Sequence, residues 1–433
     1  MSGPAPSADT ARGAGRGGRR AHRARLVVLG ALTAAAPLSL DTYLPALPTL
    51  TADLATTPSV TQLSLTSCLV GLALGQLIAG PLSDVLGRRR PMLLGAAGFA
   101  IASVLCAVAP SVEVLVALRL AQGLLGAVGI VVARAVVRDT SDATTAARSF
   151  ATLMLVSGVA PILAPVLGGQ LLRVTSWRGV FVALAVYGAL AGLAVLFLVR
   201  ESLPATRRRA GSAAATLASF RVLLGDRRVV ACVLAAGLLF AAMFAYISGS
   251  TFVLQDLYGL SPQAFSGVFG AISAGIVASV QVAGRLAGAG RVRPERLLAT
   301  GLGAAVVGTG VLLTTALLDG GLAGILVGLF VTVCSVGLVL PSATTLTLAD
   351  HPEHAGSASA LLGTAQFLVG AGVAPLVGLA GSRSAVPMAA AMAASAVLGA
   401  VVFTVLWRSA RRGDAAGPSP THGPQHAERA ERD

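Results

Sequence analysis

Apolar residues fill this chain in runs of roughly 20, separated by short polar turns. Twelve runs can be placed, at 26–48, 61–82, 92–110, 113–136, 148–171, 179–199, 229–254, 264–285, 296–318, 321–346, 357–380 and 386–407. A helix of about 20 apolar residues crosses ~30 Å of hydrocarbon. The runs are continuous rather than alternating, which excludes a transmembrane β-barrel. The pattern predicts an all-α polytopic membrane protein with twelve spans. Turns such as Thr49–Ser59 and Asp350–Ala355 are expected to be polar loops.

The longest polar interruption, 200–228, separates two sets of six spans. The sets echo each other. Gly158-Val159-Ala160-Pro161 in the fifth span recurs as Gly372-Val373-Ala374-Pro375 in the eleventh. GPLSDVLGRRRPMLL after the second span has a degenerate counterpart, GRLAGAGRVRPERLL, after the eighth. Paired halves of this kind are what repeat-built secondary transporters show. The expected organisation is a disordered basic tail at 1–25, a six-helix bundle at 26–199, a central loop at 200–228, a second bundle at 229–407 and a disordered tail at 408–433. Residues 1–25 are rich in Gly, Ala and Arg and cannot build a core.

Composition agrees with the pattern: 55% of the 433 residues are hydrophobic and 12% charged, where a soluble protein carries about a quarter charged. The net charge is +14, and every basic residue is Arg. A basic chain suggests nucleic acid, but these arginines stand between the apolar runs. Loops after even-numbered spans carry Arg88, Arg89, Arg90, Arg138, Arg148, Arg200, Arg207, Arg208, Arg209, Arg221, Arg227, Arg228, Arg291 and Arg293. Loops after odd-numbered spans carry only Arg173, Arg178 and Arg383. The positive-inside rule then places both termini in the cytoplasm. No nucleic-acid partner is expected; the partners are the bilayer, a small molecule and protons. The four cysteines lie singly in apolar runs, as packing residues, and no metal site is expected, the HPEH at 351–354 included.

One acid, Asp41, lies inside the first run. Ionisable groups within a membrane span are costly and are functional candidates by default. Asp41 follows Leu26 by 15 residues, so it stands ~22 Å into an ~30 Å core. Arg119 in the fourth span, with Gln122 beside it in LRLAQG, falls at a similar level from the opposite direction. Burial raises an acid's pKa and a nearby Arg lowers it, so such a pair can take up and release a proton. The alternative is that Asp41 braces a helix end and that Arg119 belongs to a structural ion pair. Polar groups that could line a cavity are Tyr43, Gln76, Tyr246, Gln281 and Gln366, each equally able to bond a neighbouring helix. No phosphate-cradling motif and no Ser/His/Asp constellation is present, so no enzyme is expected.

GPLSDVLGRRRP, Gly80 to Pro91, joins the second and third spans with a tight charged turn. Its Gly80, Asp84, Gly87, Arg88 and Arg89 resemble the loop motif of the major facilitator superfamily, with Val85 and Arg90 as departures. DTYLPALP, RLAQG with RAVVRD, GVAPILAPVLGG and ASALLGTAQ are similar to the Bcr/CflA drug-efflux subfamily, over roughly residues 26–407. The resemblance implies twelve helices in two pseudo-symmetric bundles and proton-driven drug export from the cytoplasmic membrane. No cofactor is implied beyond the proton gradient, and a monomer is expected. It also implies that helices 1 and 4 flank one cavity, which makes an Asp41–Arg119 interaction, direct or through water, expected. Arg134, Arg138 and Asp139 would by the same resemblance close an inner gate with the 2–3 loop; as plain sequence they are an interfacial basic cluster. Gly158, Pro161, Pro165, Gly168 and Gly169 resemble the helix-5 antiporter motif, in which prolines bend the helix and glycines allow close packing. Packing without any part in coupling is the other reading. A metabolite transporter of the same fold is the alternative to a drug exporter, because fold does not settle substrate.

Overall fold

The protein is described from a computed structural model, which covers residues 8–140, 143–208, 213–349, 351, 355–378 and 384–415. Among these residues lie fourteen α-helices and no strand. They are α1 (Ala8–Asp41), α2 (Leu47–Asp53), α3 (Pro58–Leu86), α4 (Arg89–Ala107), α5 (Val112–Thr140), α6 (Ala143–Leu171) and α7 (Trp177–Leu198), then α8 (Ala213–Gly225), α9 (Arg227–Phe252), α10 (Pro262–Gly288), α11 (Pro294–Leu317), α12 (Gly321–Ala349), α13 (Ala355–Gly378) and α14 (Val386–Ala415). Setting aside the short α2 and α8, twelve helices occupy the twelve predicted positions. Ten are long and apolar enough to cross a membrane, and apolar Val159–Leu171 and Ser357–Val373 stand at the fifth and eleventh positions.

The two halves pack by one plan. In the first, α3 packs on α5, α4 on α5 and α7, and α1 on α5, α6 and α7. In the second, α10 packs on α12, α11 on α12 and α14, and α9 on α12, α13 and α14. Each pairing in one half has its counterpart in the other. The halves meet through α3 against α13 and α6 against α10, which exchange under the same correspondence. Close backbone approach explains the tight α3–α5 contact. A Cβ on Gly123 would collide with the Cys68 carbonyl, and one on Gly71 with the Leu120 carbonyl. Cys68 of α3, Cys106 of α4 and Cys232 of α9 are buried.

Several boundaries differ from expectation. α1 extends back to Ala8 through the segment expected to be disordered, since Ala and Arg are strong helix formers. It ends at Asp41 rather than near 48. Pro45 lacks a backbone donor and restricts the residue before it. The chain therefore makes a 3₁₀ turn at Leu44–Ala46, and α2 follows where a polar loop was expected. α8 forms inside the expected central loop, and α14 continues past 407 to Ala415. Residues 1–7 and 416–433 of the predicted tails lie outside the described residues, as do most of the HPEH loop and Arg383.

Loops from the two ends of the bundle gather separately. Asp53, after the first span, accepts from Trp177 Nε1 at 2.9 Å and from Arg178 at 3.2 Å, so the arginine-poor loops share one end. Arg88, Asp139 and Glu201 meet at the arginine-rich end.

Candidate functional site

The break after Asp41 shapes the site. Asp41 is the last residue of α1, 5% exposed, with its carboxyl at the carbonyl end of the helix dipole. Two residues on, the Tyr43 hydroxyl meets Ser64 Oγ of α3 at 2.9 Å. Arg119 of α5 lies over the Tyr43 ring, 4.5 Å from its centroid, and 5.7 Å from that of Phe181. Arg119 is fully buried. A desolvated cation–π contact is worth about 2 kcal/mol, which offsets part of the cost of burying the charge. Residues three apart share a helix face, and Arg119 Nη1 donates to Gln122 Oε1. Gln122 Nε2 donates in turn to Ser103 Oγ of α4 at 2.7 Å. Arg119 Nε and Nη2 have no hydrogen-bond partner among the described residues.

Of the expected Asp41–Arg119 interaction, direct or through water, the direct ion pair is not formed among the described residues. Arg119 spends its contacts on Tyr43 and Gln122. The two charges lie within electrostatic range of each other without an ion pair, and Asp41 is also within range of Tyr246. Tyr246, from α9 in the other half, stacks on Phe269 with centroids 5.2 Å apart, and its buried hydroxyl is unpartnered. Phe240 lies against Phe244 and Phe367, with centroids 5.1 and 5.6 Å apart, in a second aromatic group on α9 and α13.

The other cavity candidates divide. Gln76 Nε2 is buried without a partner, and a Cβ on Gly363 of α13 would stand 3.4 Å from Gln76 Oε1. Gln76 therefore faces the other half. Gln366 is half-buried and Gln281 exposed. Tyr43 is packed beneath Arg119, as part of the scaffold rather than an open surface.

At the arginine-rich end, Arg88 is the hub. It is 3% exposed. Its Nε meets Asp139 Oδ2 at 2.8 Å, and its Nη1 meets Asp84 Oδ1 at 2.6 Å and Ser83 Oγ at 2.7 Å. Glu201, which sequence reasoning missed, accepts from the backbone N–H groups of Arg88 at 2.8 Å and Arg89 at 3.2 Å. Its carboxyl lies 3.9 Å from Arg208. Burial acts to raise the Glu201 pKa, but bonds from the Leu203, Arg88 and Arg89 amides and the Arg208 charge bring it below the ordinary glutamate value. Gly87 has φ +87°, and a Cβ there would run into the Glu201 carboxylate. Gly80 meets no such constraint. Arg89 Nη2 donates to the Leu196 carbonyl at 2.6 Å. Of RAVVRD, Asp139 joins this cluster. Arg134 and Arg138 are exposed and in no ion pair among the described residues.

At the arginine-poor end, side chains bond backbone carbonyls across the two halves. Gln62 Nε2 donates to Ser248 O at 3.0 Å, Thr66 to Ala371 O at 3.2 Å, Gln255 to Pro45 O at 3.2 Å and Gln263 to Gly169 O at 2.9 Å. The helix-5 glycines stand at close approaches: a Cβ on Gly168 would collide with the Thr42 carbonyl, and one on Gly169 with Ser266. Pro161 and Pro165 lie within the uninterrupted α6. The side-chain surroundings of Gly158 lie outside the described residues. The signal for Gln62 was an amide near the start of an otherwise apolar span, and for Glu201 an acid just beyond the sixth.

The profile of the Major Facilitator Superfamily matches residues 29–375. The chain is 39% identical over 378 residues to an uncharacterized MFS-type transporter, YdgK, of Bacillus subtilis (strain 168), covering 87% of this chain and 93% of that one. It is 28% identical over 381 residues to a bicyclomycin resistance protein homolog of Haemophilus influenzae, covering 88% and 95%. It is 30% identical over 275 residues to the multidrug resistance protein MdtL of Escherichia fergusonii, covering 64% and 69%. Among solved structures, a bacterial homolog of the lysosomal transporter Spinster, inward-facing and unoccupied, superposes with a TM-score of 0.71 at 16% identity, over 92% of this chain and 98% of that one. This last likeness speaks for the fold.

Proposed function

The chain belongs to the major facilitator superfamily, and we propose that it exports small amphipathic drugs or antibiotics across the cytoplasmic membrane in exchange for protons. The observation that carries this reading is Asp41: a buried carboxyl at the break of α1, in the field of Arg119 and within electrostatic range of Tyr246 of the other half, whose hydroxyl has no hydrogen-bond partner among the described residues. The names of the bicyclomycin-resistance and MdtL relatives support drugs as the substrate class.

The proposed mechanism uses charge balance. With Asp41 ionised, its charge and that of Arg119 compensate each other through the low-dielectric interior. Protonation leaves Arg119 uncompensated, and an uncompensated buried charge costs several kcal/mol. The protonation state is therefore tied to the packing around these two residues. An amphipathic drug entering beside Tyr246 and Phe269 competes with the proton for Asp41. The arginine-rich end and both termini face the cytoplasm by the charge rule, and the carbonyl-bonded end faces out. The protein works as a monomer without a cofactor, on the proton gradient.

The test is drug accumulation in a pump-deficient host expressing the protein. Accumulation is expected to fall, to recover when the proton gradient is collapsed, and to recover equally with Asp41→Asn at unchanged expression. Full transport by Asp41→Asn would refute the role of the carboxyl. Vesicles with an imposed pH gradient separate the alternative, an endogenous-metabolite carrier, by which solute moves and in which direction.

A further inference from the structure

Two buried serines are linked to the Arg119 guanidinium. Ser103 of α4 and Ser64 of α3 are both fully buried. Each has its proton committed to its own helix. Ser103 Oγ donates to the Phe99 carbonyl at 2.7 Å, and Ser64 Oγ to the Thr61 carbonyl at 2.7 Å. A hydroxyl has one proton and two lone pairs. Each serine can therefore only accept from its remaining neighbour.

Ser103 passes this polarity on. Because it can only accept, it takes Gln122 Nε2, at 2.7 Å, and not Oε1. The carboxamide is thereby oriented, with Oε1 turned to Arg119 Nη1. The reverse orientation would set the amide N–H groups against the guanidinium, donor against donor, and Oε1 against a hydroxyl with no proton to give. On the other side, Ser64 accepts from the Tyr43 hydroxyl at 2.9 Å, which fixes the ring that lies 4.5 Å from the guanidinium. The relay from Phe99 O through Ser103 and Gln122 to Arg119 thus runs in one direction, from the α4 backbone to the charge.

The hold matters for what it prevents. Arg119 and Asp41 lie within electrostatic range and make no ion pair among the described residues. A guanidinium fork fits a carboxylate by paired hydrogen bonds, so a guanidinium released from Gln122 would turn to Asp41. The other titratable groups near the two charges are Tyr43, Cys68 of α3 and Cys106 of α4 around Arg119, and Cys68 and Tyr246 of α9 around Asp41. The described side chains of α6 include no titratable group, and Tyr187 of α7 meets α1 at the Ala31 carbonyl, ten residues before Asp41. Thiols and phenols are neutral through the acid and neutral range, which leaves Arg119 as the charge acting on Asp41 there. We propose that Ser103 is a positioning residue: through Gln122 it holds Arg119 apart from Asp41 and so sets the pH at which Asp41 exchanges its proton. The proposal rests on proton exchange at Asp41 as the work of this site.

The readout is the carboxylic C=O stretch of protonated Asp41 in infrared difference spectra of the reconstituted protein across a pH series. It is identified as the band that Asp41→Asn removes, and it needs no transported substrate. Ser103→Ala deprives Gln122 Nε2 of its acceptor. The midpoint of the band is then expected to move about one unit to lower pH, as an opposite charge brought into contact dictates. Ser103→Thr keeps the hydroxyl, and its midpoint is expected to stay with that of the unsubstituted protein. Ser67→Ala is the control. Ser67 Oγ of α3 donates to the Val116 carbonyl of α5 at 2.6 Å, three residues before Arg119 and outside the relay, so its midpoint should not move. A serine with a merely structural role would lower the yield of folded protein and leave the midpoint alone. An unmoved midpoint in Ser103→Ala, an equal move in Ser67→Ala, or a threonine variant that behaves as alanine would overturn the proposal. Should Ser103→Ala fail to fold, Ser103→Cys takes its place with the same expected move, because a thiol is a weak acceptor. An absent Asp41 band at every pH would overturn the proton-exchange reading and this proposal together. A band whose midpoint ignores Ser103→Ala refutes the positioning role alone.

Discussion

Gln62→Glu is the sharpest perturbation of the arginine-poor end, because it changes chemistry and leaves shape alone. In the closed arrangement Gln62 is 1% exposed and its Nε2 donates to Ser248 O across the halves at 3.0 Å. An ionised carboxyl cannot donate there, which removes a hydrogen bond worth about 1 kcal/mol. It also places a negative charge against a carbonyl oxygen in a dry site, at a penalty of several kcal/mol. When the end opens, water reaches the group and both costs vanish. Taking only ~3 kcal/mol as the difference, the ratio of open to closed end rises about a hundredfold or more. Spin labels on Ala52 and Ala264, exposed positions on opposite halves, in a background with the native cysteines replaced, report the separation by pulsed dipolar spectroscopy. The expected result at pH 8 is a shift to longer distances. Acidification to a pH that neutralises the introduced carboxyl restores a donor, and the short distance should return. An unchanged distribution at pH 8, or an opening that acid does not reverse, would refute the assignment of Gln62 as a latch between the halves.

Gly168→Ala forces a Cβ into the Thr42 carbonyl. Overpacking of this kind costs about 1–3 kcal/mol, so the melting temperature in detergent and transport should fall together, and an unaltered melt would show that α6 does not press on the α1 break. Arg88→Lys keeps the charge but loses the fork that joins Asp84 and Asp139. The expected loss, read by thermal unfolding, is about 2–3 kcal/mol, below that of a fully buried pair because Asp84 is partly in solvent; full retention by lysine would mean that charge alone holds the turn. Glu201→Gln tests a pH dependence. Because the folded-state pKa of Glu201 lies below the ordinary 4.5, its contribution is complete above that value and is lost as pH falls through the folded-state value. The stability gap between Glu201→Gln and the unsubstituted chain should be constant near neutrality and close as pH falls below 4.5 and through the folded-state value; a gap that widens in acid would reverse the argument.

The spans were legible because a helix facing lipid must be apolar over its whole length, and that leaves a continuous signal. Their ends were less so. The stop at Asp41 rests on Pro45, which also fits the longer helix that was expected when taken as a kink. α8 was hidden in a loop whose arginines dominate its composition, although LASFRVLL carries its apolar residues. The level shared by Asp41 and Arg119 followed from helix rise alone. Their contacts did not, because Tyr43 is two residues from Asp41 and either could have met the guanidinium; rotation after a helix break chooses between them. Glu201 grips Arg88 across 113 residues of sequence, a distance over which only the packed fold brings groups together. The Arg88–Asp84 pair, four residues apart, was readable because it is local.

The two ends of the bundle use different chemistry, and the difference bears on coupling. At the arginine-rich end, ion pairs and caps tie loops within the first half: Arg88 to Asp84 and Asp139, and the Arg88 and Arg89 amides to Glu201. These make one half rigid without joining it to the other. At the arginine-poor end, four side-chain bonds across the halves among the described residues run from neutral donors to backbone carbonyls. Such bonds carry no net charge and are insensitive to salt, so a change in ionisation alters them only by moving the backbone that accepts. One of those acceptors, the Pro45 carbonyl, belongs to the turn that begins where α1 ends, four residues beyond Asp41. Gln255 reaches it from the π-turn Val253–Leu257, where α9 also departs from regular geometry. A π-turn in a helix marks a place where the backbone can be reset. The irregular ends of α1 and α9, corresponding helices of the two halves, are thus joined by a hydrogen bond four residues along the chain from Asp41, a buried carboxyl. Proton uptake at Asp41, as proposed, would change the charge balance at that junction, while the described charged cluster at the other end lies within the first half. On that proposal the route by which a proton opens the outer end runs through the α1 turn and its bond to α9, and needs no ion pair between the halves.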